Sequence, residues 1–60
     1  MTTKEADQII RDDKPVLVRS KFFEEEFEAV FIRRDRFNLF SETGGVYDRQ
    51  DLEIIKRKSP

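Results

Sequence analysis

Glu24, Glu25, Glu26 and Glu28 stand among Phe22, Phe23, Phe27 and Phe31 in the stretch FFEEEFEAVF, which leads into an apolar run. Clustered carboxylates have two familiar uses: they hold a hard cation, or they work in pairs as general acid and base. Both require the oxygens to converge. In an extended chain Glu24, Glu26 and Glu28 fall on one face, with about 6.6 Å between successive side chains, a spacing that suits a ladder rather than a cage. No EF-hand spacing surrounds them. We therefore expect the wet face of a strand here, with no metal and no cofactor.

The remaining chemistry is sparse. The chain has neither His nor Cys, which removes the usual general base, the strongest nucleophile, and the imidazole and thiolate metal ligands together. Thr43-Gly44-Gly45 lacks the Lys-Ser/Thr and helix of a phosphate-binding loop. An enzyme is not expected.

Basic residues cluster in two places, Arg33, Arg34 and Arg36, and Lys56, Arg57 and Lys58. Such clusters are the footprint of a nucleic-acid binder, but those domains carry a strong net positive charge, and here the net charge is −1. Four aromatic residues form the other candidate surface. Phe22 and Phe23 fall at or beside a turn, where two rings are hard to bury, and Phe40 and Tyr47 supply a second aromatic contact. Phe is enriched in interface cores. The leading expectation is contact with a protein partner, or with a second copy in a homo-oligomer, through Phe22, Phe23, Phe40 and Tyr47. The alternative is nucleic-acid binding through the two basic clusters.

The elements that must position these residues are short. Sixty residues make one domain, with 37% apolar residues, six of them Phe; a chain of this size buries only about 60% of its unfolded surface. Charged residues reach 42%, but the small net charge and the aromatics argue for a folded chain. The first ten residues show no apolar leader and no run approaches the ~18 residues of a membrane span, so a cytoplasmic protein with no membrane contact is expected.

Thr2-x-x-Glu5 fits a capping box, followed by Ala6, Ile9 and Ile10 on one helical stripe. Pro15 stops helical growth, so a helix is expected over about 3–12. From Pro15 the apolar period becomes two, with turns expected at 22–25, 33–36 and 43–45, a last strand LEIIKR, and a frayed tail at 58–60. A hairpin turning at 23–24 would set Lys21 against Glu26 and Arg19 against Glu28 outside, and Val18 against Ala29 and Val16 against Phe31 inside. The predicted core is Val16, Val18, Phe27, Ala29, Phe31, Leu39, Leu52 and Ile54. Leu17, Val30 and Ile32 would form a second, outer patch, with Ile9 and Ile10 as its lid.

Five short strands in a meander, with a one-turn connection Asp48-Arg49-Gln50-Asp51 before the strand that opens at Leu52, resemble the SH3-like small barrels, the group that includes Tudor and KOW modules. The resemblance covers residues 15–57. It implies a small barrel or strongly bent antiparallel sheet of four or five strands with an N-terminal helix. Ser20-Lys21-Phe22 stands where KOW modules place a glycine, and no Trp is present for an aromatic cage, so no family-specific site residue carries over. An OB-like barrel is the alternative architecture.

Overall fold

The computed structural model describes residues 1–57, with side chains up to Ile55. One helix precedes six strands: α1 (Thr3–Asp12), β1 (Val16–Ser20), β2 (Glu25–Ala29), β3 (Phe31–Arg34), β4 (Asn38–Ser41), β5 (Val46–Asp48) and β6 (Leu52–Arg57). The strands form two antiparallel sheets, ordered β2-β1-β6 and β3-β4-β5.

The expected four or five strands become six because the second one is divided. Phe27, Ala29 and Phe31 keep the inward parity that the sequence implies, but the strand breaks at Val30, so that β2 pairs with β1 and β3 pairs with β4. The chain thereby passes from one sheet to the other. A register shift between Phe31 and Arg33 adds a bulge next to this corner, the device by which strands bend sharply.

The helix starts where the capping box places it. The Glu5 N–H donates to Thr2 Oγ1 at 3.1 Å, and the Thr2 N–H donates to Glu5 Oε1 at 2.9 Å. Asp13 ends it in the left-handed conformation, φ 52°, with its N–H on the Ile10 carbonyl. Pro15 then opens the first strand.

Among the described residues, seven apolar side chains make the buried core: Ala6, Ile9, Val16, Val18, Phe31, Leu39 and Leu52. Five of the expected positions are among them. Phe27, Ala29 and Ile54 pack against this cluster while staying partly open. The helix differs from expectation. Ala6 and Ile9 enter the same core as the strands instead of covering an outer patch, and Ile32 remains 51% exposed. The bend at Val30 accounts for this: two small sheets meeting at a corner leave an open side, and the apolar stripe of α1 closes it.

The first hairpin also differs. Arg19 faces Glu26, Leu17 faces Glu28 and Ser20 faces Glu25, two residues away from the expected pairing. A slip of two keeps every side chain on its face, so the inside stays apolar and the charge ladder changes partners. Lys21 leaves the ladder altogether and lies in the turn. An ion pair also joins different elements: Arg34 Nε donates to Asp7 Oδ1 at 2.6 Å, fastening β3 to α1.

The helix is therefore integral to the core. Ile9→Ala should cost about 2–5 kcal/mol, and Ile10→Ala, at a half-buried position, distinctly less; chemical denaturation midpoints of the two variants test the ordering.

Candidate functional site

The aromatic tip is built by four residues, Lys21–Glu24, that join β1 to β2. Its shape is imposed from a distance by Asp51. The Asp51 carboxylate accepts from Ser20 Oγ and, at 2.8 Å, from the Phe22 N–H; the Asp51 carbonyl accepts from the Lys21 N–H at 3.2 Å. The Phe23 N–H completes the set by donating to Ser20 Oγ at 3.1 Å. Ser20 is buried, so its hydroxyl acts inside the fold as donor to Asp51 and acceptor from Phe23. These hydrogen bonds hold the Asp51 carboxyl below its ordinary range, the Ser20 hydroxyl contributing most and the Phe22 N–H next.

Glu24 closes the turn at φ 55°, a conformation uncommon outside Gly, Asn and Asp. The longer turn is the physical reason for the shifted register. Satisfying Ser20, Lys21 and Phe22 against Asp51, and Phe23 against Ser20, consumes residues that a tight turn at 23–24 would have put into the strands.

With the backbone held in this way, both rings point to solvent. Phe22 is 80% exposed and Phe23 70%, and their centroids lie 4.8 Å apart in an edge-to-face contact. The adjoining Glu24, Glu25 and Glu26 are exposed as well. The other two expected contact residues lie elsewhere. Tyr47 is half-buried on β5, 4.9 Å from the Phe27 ring and 6.0 Å from that of Phe31. It borders a shallow groove of about 240 Å³ lined also by Pro15, Phe27, Ala29 and Val30. Phe40 lies on β4 beneath Arg33. The Phe22 and Phe23 rings thus contact each other, while that of Tyr47 contacts Phe27 and Phe31.

The arginine cluster is likewise divided. β3 runs through Arg34, and the turn falls at Asp35–Phe37, not at 33–36. Asp35 Oδ1 accepts from the N–H groups of Phe37 and Asn38 at 2.8 and 2.7 Å, an Asx-type turn that holds the Asp35 carboxyl below its ordinary range. Arg34 is committed to Asp7. Arg33 lies over the Phe40 ring at 3.8 Å, and Arg36 lies 5.6 Å from the ring of Phe37. Phe37 is 59% exposed in the turn. Lys56 and Arg57 occupy the end of β6, and Lys58 falls outside the described residues.

A second buried serine works as Ser20 does. Ser41 Oγ accepts from the Gly45 N–H at 2.9 Å, while the Ser41 and Gly44 N–H groups satisfy the Gly45 and Ser41 carbonyls. Gly44 takes φ 91°, and a Cβ at Gly45 would meet the Tyr47 hydroxyl at 2.6 Å. Both glycines are thus required, one for its backbone and one for the ring beside it.

Among the described residues no group of three or more His, Cys, Asp or Glu is arranged to hold a metal ion, and no helix is long and apolar enough to cross a membrane. A scan against protein-family models finds no match, and searches of curated proteins and of solved structures find no significant similarity.

The Asp51 clamp carries a signed pH dependence. A carboxyl held below its ordinary value in the folded state stabilises the fold above the unfolded pKa, and that contribution is lost as pH falls through the folded one. Asp51→Asn should lower the thermal midpoint at neutral pH. The gap between variant and parent should then narrow as pH falls below about 4; melting curves across that range measure it.

Proposed function

We propose that this chain is a small, non-enzymatic interaction module that engages a protein partner through the Phe22–Phe23 tip, and that its helix and two bent sheets constitute an SH3-like small barrel. The observation that carries the functional reading is the exposure of two adjacent Phe rings on a turn whose backbone is already satisfied. An aromatic pair in water is costly to keep unless it is used, and Phe is enriched where interfaces exclude water. The Asp51 clamp adds the second ingredient. A loop held in one shape before binding loses little conformational entropy on binding, so more of the contact energy appears as affinity. Tyr47 and its groove lie away from the tip and would serve as an accessory contact. The architectural reading is supported by the strand order, by the corner at Val30, and by the short Asp48–Asp51 turn, closed by the Asp51 N–H on the Asp48 carbonyl at 3.1 Å. The absence of His and Cys supports a binding role over a catalytic one.

A second reading has its own observation. Arg33 stacked on Phe40, with exposed Phe37 and Arg36 beside it, makes a cationic aromatic platform of the kind on which nucleotide bases stack. It would bind nucleic acid, with Lys56, Arg57 and Lys58 as further positive charge. The net charge of −1 and the engagement of Arg34 by Asp7 weigh against it.

Capture from native extract, with nuclease treatment and a salt series, separates the two. The double variant Phe22→Ala/Phe23→Ala should keep the parent's circular dichroism and melting temperature and lose a nuclease-resistant, weakly salt-dependent partner. Loss of capture on nuclease treatment, with a steep salt dependence and sensitivity to Arg33→Ala/Arg36→Ala, would instead establish the nucleic-acid reading.

A further inference from the structure

We infer that the open edge of β2 is a strand-addition site for an extended, Lys- or Arg-bearing polypeptide segment, anchored at one end by the Phe22–Phe23 tip. This rests on the proposed interaction role of the tip and adds to it the partner's conformation and charge.

β2 pairs with β1 alone and ends its sheet. An edge strand directs alternate N–H and C=O groups outward, and proteins commonly block such edges with bulges, Pro or Lys. Two of the other edges are interrupted, since the β1–β6 and β3–β4 pairings each contain a register shift, and the third, β5, is only three residues long. β2 contains no Pro and no Lys, and its five pairs with β1 run in regular register. A straight edge of that kind is a template for another strand.

The template has defined ends. Beyond Ala29 it closes, because the Glu42 N–H donates to the Val30 carbonyl at 2.9 Å. At its start it meets the clamped turn with its two exposed rings. A segment laid along Glu25–Glu28 would therefore reach the aromatic tip with one end and stop beside Glu42 with the other.

Charge decides the occupant. Glu25, Glu26 and Glu28 are exposed along this edge, and like charges directly across a strand pair are destabilising. Two β2 edges from two copies would oppose glutamate to glutamate, so self-pairing here is disfavoured. Phosphate backbones and anionic lipids are repelled by the same residues. A strand with basic residues at alternate positions meets Glu26 and Glu28, which lie two apart on one face, and gains steering as well as selectivity.

The test uses a blocked octapeptide of alternating Lys and Val, and its Glu–Val counterpart, added to the uniformly 15N-labelled full chain. The expected result is amide shift changes concentrated at residues 22–28 with the Lys peptide and none with the Glu peptide. Binding should weaken by a few-fold in Glu26→Gln, from the loss of one rim charge contact, while that variant keeps its melting temperature. Shift changes centred elsewhere, equal binding of both peptides, or no change at millimolar Lys peptide would overturn the strand-addition site. If the peptide fails while Phe22→Ala/Phe23→Ala still abolishes capture of a native partner, the aromatic tip stands and only the β2 edge is rejected.

Discussion

One carboxylate holds together the part of this molecule that looks outward. Asp51 stands at the end of a short turn, immediately before β6, and binds through its side chain and its carbonyl to three consecutive residues at the far end of β1, Ser20, Lys21 and Phe22. Those bonds join the turn before β6 to the end of β1 and the tip that follows it, set the length of the tip turn, and with it the register of β1 on β2. They also remove the freedom that would let Phe22 or Phe23 fold back over the end of the sheets. Bonds to an ionised acceptor are stronger than neutral ones, so a single side chain can impose all of this on a partly exposed loop.

The second constraint is the scarcity of core. Among the described residues seven buried apolar side chains hold the fold together, and two of them come from the helix. A helix of ten residues has little stability by itself, and two three-stranded sheets meeting at a corner leave an apolar face open. Each supplies what the other lacks. The Asp7–Arg34 pair locks the same contact at its rim. Economy inside also explains the outside: with so few positions available for the core, the exposed Phe22, Phe23, Phe37 and Val46 are residues the fold does not need for its own stability.

Local signals in the sequence were read correctly where the physics is local. The capping box, the stop at Pro15, and the inward parity of Val16, Val18, Phe31, Leu39 and Leu52 follow from periods and caps that involve neighbours only. What escaped was set by distant residues. Nothing near Lys21 announces that Asp51 will hold its N–H, and without that bond a tighter turn and the neighbouring register look equally good. Ser20 and Ser41 read as ordinary strand serines, although each is a buried hydroxyl that organises a turn. The break at Val30 is invisible in a run of apolar residues, because a sharp bend and a straight strand share the same alternation. A covered place for Ile32 follows only from a straight strand. Of the candidate contact residues, Phe22 and Phe23 were legible as turn aromatics, whereas the separation of Phe40 and Tyr47 from them depends on how the sheets fold over.

The central claim is that the aromatic tip is presented in one fixed conformation by Asp51. Backbone 15N relaxation reports it directly. A clamped tip predicts order parameters at the Phe22 and Phe23 amides near the ~0.85 of rigid strands, falling in Asp51→Ala; values below about 0.6 in the parent protein would show a loose loop and contradict the clamp.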